Sequence, residues 1–168
     1  PVEIGENDLF MATAWWTAQS VKAALPLVRQ QRFLYLIQDF EPLFFASSSQ
    51  YALAIETYDL DHVPIVNSRF LLDHLAAEGV GRFADPGFVA SAIVFEPTVD
   101  RTLFRPAVPS SHHPKRRLLF YARPVNGLRN LFELGVAAVQ LAVQQGIFDE
   151  SEWEFCGMGE RFEPVAVG

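Results

Sequence analysis

Cysteine is nearly absent. Cys156 is the only one in 168 residues, which excludes an internal disulfide framework and suits a reducing cytosol. Long hydrophobic runs are missing as well: the longest nearly apolar stretch, Leu9 to Ala18, is about half of the ~20 residues that a membrane-spanning helix needs. No basic-then-apolar leader opens the chain, and its start at Pro1 suggests that upstream residues belong to it. There is no GxSxG elbow, no P-loop, no paired CxxC and no internal repeat, so hydrolase, NTPase and zinc chemistry lose their usual signatures. Acidic residues are lacking from 101–130, a stretch that holds seven cations (Arg101, Arg105, Lys115, Arg116, Arg117, Arg123, Arg129). The remaining residues carry six cations against twenty acids, so +7 in one stretch faces −14 elsewhere. That contrast excludes a uniformly basic nucleic-acid coat and asks for a local explanation of the basic stretch; no nucleic-acid partner is expected.

What is present is apolar and ordered. Half of the residues are hydrophobic and a fifth are charged, which excludes a disordered chain. Strand and helix signals alternate. Leu9 to Trp16 has the composition of a buried strand, with Thr17 capping a helix toward Pro26. Phe33 to Ile37 is a second strand, apolar without alternation, as when both sheet faces are covered. Ser47 and Gln50 form a capping-box pattern for a helix through about Tyr58, Val63 to Val66 is a third strand, and Asn67 or Ser68 caps a helix whose Phe70, Leu71 and Leu75 face inward. Gly79 stops that helix, and Ala92 to Phe95 is a fourth strand. Residues 97–116 hold four prolines with Ser110, Ser111, His112 and His113 among them, a linker signature. Arg117 to Ala122 is another strand, Asn130 and Glu133 open a largely buried helix from Leu131 to Gln145, and Trp153 to Cys156 is the last strand. This alternation predicts an α/β fold of parallel sheets with flanking helices, Rossmann-like halves of a two-domain chain. The divisions expected are 1–105, a linker at 106–116, and 117–168.

Several groups can carry chemistry. Arg123 follows a strand and Arg129 precedes the helix that Asn130 caps, so both point into the crevice beyond the carboxyl ends of a parallel sheet. A helix N-terminus there favours an anion, and two guanidiniums add fork-shaped hydrogen bonds suited to a diphosphate; the alternative is a pair of solvated loop arginines. Lys115, Arg116 and Arg117 read as linker solubilisers. Asp39 and Glu41 follow the second strand, where a carboxylate can orient or deprotonate a sugar hydroxyl, or simply face solvent. Trp15 and Trp16 can stack on a sugar ring, or pack inside a strand. Asp59 and Asp61 match an acid-x-acid pattern that holds a divalent cation in some transferases, though three residues match often by chance. His112 and His113 lack a third ligand at sensible spacing, and Gly157-Met-Gly159 reads better as a tight turn leaving a sheet than as a dinucleotide fingerprint. No metal and no cofactor are expected.

The order of these pieces resembles the domain crossing of GT-B glycosyltransferases of the group 1 (family 4) kind. Its carriers are Val63-Pro-Ile-Val-Asn-Ser68, then Pro97-Thr-Val-Asp100 with Phe104 and Pro106, then a strand ending Ala122-Arg123 and Trp153-Glu-Phe-Cys-Gly-Met-Gly159. Phe33 to Pro42, Leu119 to Pro124 and Arg129 to Leu134 are similar to bacterial rhamnosyltransferases of the rhamnan-synthesis and S-layer-glycan type. The resemblance covers nearly the whole chain. It implies transfer of a sugar, rhamnose from dTDP-rhamnose, from a nucleotide-diphospho-sugar to a glycan or lipid-linked acceptor of a bacterial surface polysaccharide. It also implies a cytoplasmic location, peripheral at the inner face of the membrane. Arg123 and Arg129 match the family's diphosphate contacts, and Gln38-Asp39 falls where the family often has His-Asp beside the reacting sugar. The family's glycine-rich loop would lie before Pro1 and its donor-ribose motif after Gly168, so an inactive fragment of the enzyme is expected. Exposed strand edges of such a fragment predict a homodimer. The rival functions are a non-catalytic glycan-assembly or carbohydrate-binding module that keeps the fold, and a metal-dependent transferase using Asp59 and Asp61.

Overall fold

The computed structural model describes residues 3–105, 114–126 and 130–167. The chain divides into two compact units, Pro1–Arg101 and Thr102–Gly168. Most of the expected linker, with His112 and His113, lies outside the described residues, as does Arg129.

The first unit is a parallel sheet of β1 (Met11–Ala12), β2 (Phe33–Ile37), β3 (His62–Asn67) and β4 (Ile93–Phe95), in that spatial order. Its helices are α1 (Trp15–Ala24), α2 (Ser49–Glu56), α3 (Arg69–Ala77) and α4 (Pro86–Ala90). Strands taken in sequence order through right-handed crossovers place every connecting helix on one face. The burial pattern agrees. Ala12, Phe33, Tyr35, Ile37 and Val66 are buried against Ala18 and Val21 of α1, Leu72 and Leu75 of α3, and Phe83 and Phe88. The opposite face carries Leu34, Leu36, Val63 and Ile65, half-buried, and Met11, Ile93 and Phe95, exposed. The apolar, non-alternating strands predict cover on both faces; within the first unit, among its described residues, only one face has it.

Helix starts depend on partners far away in sequence. The apolar stretch from Leu9 to Trp16 is not one strand: pairing with β2 lasts for two residues, and α1 begins at Trp15. Thr17 caps that helix from its third position, its Oγ1 accepting from the N–H groups of Thr13 and Ala14, both at 2.9 Å. For α2 the cap is Ser48, one residue later than expected, accepting from the Tyr51 N–H at 3.3 Å. For α3 the N-cap is Ser68, one of the two expected, but its side chain makes no capping bond; Glu96, beyond β4, supplies it, its Oε1 accepting from the Arg69 N–H at 2.9 Å. Phe70, expected inside, is 85% exposed, and the buried positions of α3 are Leu72 and Leu75. Gly81 has φ +49°, and a Cβ there would lie 2.6 Å from the Tyr58 carbonyl carbon, so the turn after α3 admits only glycine.

At the centre of this core His62 is fully buried among the rings of Phe33, Tyr35, Phe83 and Phe88. Its Nδ1 meets the Leu60 carbonyl at 2.7 Å, which makes Nδ1 the protonated nitrogen, and its buried Nε2 has no hydrogen-bond partner among the described residues. Beside it the Thr57 hydroxyl donates to the Ala54 carbonyl (2.6 Å), leaving its oxygen to accept from Tyr35 Oη (3.1 Å). Burial drives the Tyr35 and Tyr58 hydroxyls well above the usual tyrosine range, so both stay neutral.

In the second unit β5 (Arg116–Ala122) and β6 (Trp153–Gly159) are parallel and in register from Arg116↔Trp153 to Ala122↔Gly159. The helix α5 (Phe132–Gln144) lies between them in sequence. The α/β class with parallel sheets and flanking helices is what the strand–helix alternation predicts. Two details differ. Gly157-Met-Gly159 is the end of β6 rather than a turn leaving the sheet. Only Phe132 of α5 is buried, while Leu134 and Leu141 are exposed, so the helix is not largely covered within its unit.

Candidate functional site

The carboxyl ends of β5 and β6 are tied together by three adjacent residues. Arg123 follows β5, and its N–H donates to Asn130 Oδ1 at 2.6 Å. Asn130 therefore fixes the strand-end loop; it does not cap α5, whose start is Leu131 in the left-handed region (φ 53°). Glu160 follows β6. Its N–H donates to the Ala122 carbonyl at 2.9 Å, its Oε2 accepts from the Val125 N–H at 3.2 Å, and its Oε1 lies 3.3 Å from Arg123 Nε. The two side chains are 37% and 30% exposed, so ligand and solvent can reach both. Gly159 explains the closeness. Its φ is +130°, and a Cβ would lie 2.3 Å from the Ala122 carbonyl oxygen, so the two strand ends meet only because residue 159 has no side chain. Beneath this edge Phe132 stacks on Phe120 and meets Phe162 edge-on, with centroids 6.0 and 4.9 Å apart. An apolar cleft of about 400 Å³ continues between Phe120, Val136, Val139, Phe155 and the segment around Phe162 and Val165.

Three other basic residues of the stretch do other work. Lys115 Nζ donates to the Glu150 carbonyl (2.7 Å), the Arg116 guanidinium lies over the Trp153 ring, and Arg117 pairs with Glu154 at 2.7 Å. They fasten the amino ends of β5 and β6, opposite Arg123, rather than serving only as linker solubilisers. Such exposed pairs contribute about 1 kcal/mol or less each.

In the first unit the sequence candidates collect at the carboxyl ends of β1 and β2. Glu41 Oε2 accepts from the Trp15 N–H at 2.6 Å, so this carboxylate sits on the N-terminus of α1. Asp39 lies in the same turn, where its carbonyl accepts from Tyr58 Oη at 3.4 Å, and Gln38 Nε2 reaches the Thr13 carbonyl at 3.4 Å. Trp15 meets Trp16 and Phe45 edge-on, at 5.9 and 5.7 Å. The two tryptophans open a helix and are not strand residues: Trp16 is 56% exposed, and the buried indole Nε1 of Trp15 has no hydrogen-bond partner among the described residues. Asn67, at the end of β3, likewise keeps a buried Oδ1 without a partner among the described residues.

Asp61 is engaged by two guanidiniums, Arg82 and Arg32, and Asp59 ends a short 3₁₀ turn. Among the described residues no group of three or more His, Cys, Asp or Glu side chains is placed to hold a metal ion, and no helix is long and apolar enough to cross a membrane. Of the sequence candidates, the fold joins Glu41 to Trp15 and Arg123 to Asn130. Glu160 is the residue of this strand edge that the residue pattern did not single out. Its signal is positional: an acid directly after a strand whose parallel neighbour ends in arginine.

Comparison with known proteins gives a consistent picture. Residues 1–69 match the family described as WsaF, N-terminal domain, and residues 116–168 match WsaF, C-terminal domain. The chain is also 40% identical over 162 residues to the "O-antigen biosynthesis protein RfbC" of Myxococcus xanthus. That alignment takes in 96% of this chain and 11% of the relative, so the chain spans about a ninth of that protein's length. The chain thus carries, in order, segments similar to the N- and C-terminal domains of WsaF, in a sequence related to a protein of O-antigen biosynthesis.

Proposed function

We propose that this chain is part of a GT-B glycosyltransferase of surface-glycan assembly, which moves a sugar, rhamnose, from a nucleotide-diphospho-sugar to a glycan or lipid-linked acceptor. The observation that carries the proposal is the pair of WsaF domain matches in sequence order, with Arg123 at the carboxyl edge of the second unit's sheet. In this reading the second unit binds the donor. Arg123 stabilises the negative charge that builds on the departing diphosphate, and Asn130 holds the backbone that aims it. Arg129 is proposed as the second cation. The first unit faces the acceptor, with Trp16 as a stacking surface and Asp39 or Glu41 orienting or deprotonating the attacking hydroxyl. The N-terminus of α1 fixes the Glu41 carboxylate for that task. Protein cations, in place of a metal, serve the leaving group, and the enzyme works in the cytoplasm at the inner face of the membrane.

One observation favours a second reading. Arg123 already has a carboxylate partner in Glu160, as a non-catalytic glycan-assembly module would allow. Steady-state transfer from dTDP-rhamnose by the full-length protein separates the two. Arg123→Ala is expected to lower kcat about 10²–10³-fold, the typical loss for one preorganised charge-stabilising donor, with activity insensitive to excess chelator. An unchanged rate in the variant, or no transfer by the parent protein, supports the module.

A further inference from the structure

Glu160 places a negative charge where the donor's diphosphate is proposed to bind. We infer that Glu160 is a positioning residue that competes with the diphosphate for Arg123: it holds the guanidinium while the site is empty, yields it to the anion, and recaptures it when the anion leaves. The inference rests on the reading of Arg123 as a diphosphate ligand.

The geometry divides the carboxylate between two tasks. Oε2 accepts from the Val125 N–H at 3.2 Å and so shapes the loop after β5, while Oε1 lies 3.3 Å from Arg123 Nε. The residue is anchored at its own backbone by the bond from its N–H to the Ala122 carbonyl at 2.9 Å. The approach of Gly159 to the same carbonyl keeps the two strand ends together, so Glu160 stays within reach of Arg123 whatever occupies the crevice. The partial exposure of both side chains makes this a weak, exchangeable pair rather than a buried lock. A diphosphate offers more charge and a bidentate edge to the guanidinium, so it can displace the carboxylate. It must then tolerate the Glu160 charge beside it, and that repulsion lowers its affinity. The guanidinium is thereby held ready at the crevice, and the leaving diphosphate is not trapped there.

The test is calorimetric titration of inorganic pyrophosphate, and separately of dTDP, into the full-length protein and its variants. Gln keeps an acceptor for the Val125 N–H while removing the charge. Glu160→Gln is therefore expected to bind pyrophosphate about two- to fivefold more tightly than the parent. That gain should vanish in an Arg123→Ala background. Loss of a merely structural residue would weaken binding, the opposite sign. Glu160→Asp, which keeps the charge and shortens its reach, should fall between the two, and it provides the same comparison if the Gln variant does not fold. Equal or weaker binding by Glu160→Gln, with Arg123→Ala still costing affinity, overturns the competitor role and leaves the diphosphate reading intact. Unchanged affinity in Arg123→Ala overturns the diphosphate reading and this inference with it.

Discussion

His62 makes the first unit acid-sensitive in a defined window. Its side chain is fully buried, and burial pushes its pKa down from 6.5 to about 4. The Leu60 carbonyl opposes this shift, the charges of Arg82 and Arg32 add to it, and Asp61 opposes it. Between pH 6.5 and about 4 the unfolded chain binds a proton at this position and the folded unit does not. Stability contributed by the neutral imidazole is therefore complete above pH 6.5, falls as the pH is lowered, and stops falling below about pH 4. At 1.36 kcal/mol for each pH unit, the full loss is about 3 kcal/mol, a large part of a domain's net stability. Hydrogen-exchange protection of the β2 and β3 amides in the full-length protein, corrected for intrinsic exchange rates, reads this directly. Protection should hold between pH 7 and 6.5 and fall steadily from there to pH 4.5. His62→Phe should flatten that slope, at a cost of about 1–3 kcal/mol at neutral pH for the unpaired Leu60 carbonyl. Flat protection in the parent protein, or the same slope in His62→Phe, would refute the reasoning. The carboxylates of Glu56 and Asp149, held low by Lys22 and Ser151 respectively, act at more acidic pH and do not mimic the effect.

Three further outcomes are expected. Gly159→Ala forces a side chain onto the Ala122 carbonyl at a φ of +130°; it should destabilise the second unit by about 1–3 kcal/mol and weaken diphosphate binding, visible as a lower urea midpoint and a higher Kd. Glu41→Ala removes the acceptor at the start of α1 and should cost about 1 kcal/mol in stability; the catalytic proposal adds a fall in kcat, and an unchanged kcat would leave Glu41 as a helix cap alone. The open apolar face around Leu36, Ile65 and Ile93 is consistent with the proposed homodimer, which light scattering across a concentration series should reveal; a strict monomer would contradict it.

How much was legible beforehand follows from where each determinant lies. The cores of β2, β3 and β5 were readable because short apolar runs between turn residues report burial locally. The beginning of α1 was not, since Leu9 to Trp16 is apolar throughout and the signal that ends the strand includes Glu41, 26 residues from Trp15. Glu96 caps α3 from 27 residues away, beyond the reach of any local capping pattern. Phe70 misled because it is apolar like its neighbours Leu71 and Leu72, while α3 turns Leu72 and Leu75 to the core and leaves Phe70 outside. At the candidate site, Arg123 stood out by its place after a strand. Glu160 stayed hidden because its partner is 37 residues distant and is found only through the β5–β6 register.

The central claim is that the edge of β5 and β6 binds the diphosphate of a sugar donor through Arg123. Equilibrium titration of the full-length protein with dTDP-rhamnose, at low and at high salt, tests it most directly. Saturable binding that weakens with salt and falls at least tenfold in Arg123→Ala is predicted, about 1.4 kcal/mol or more for a charge-assisted contact. Equal affinity in the parent and the variant would contradict it.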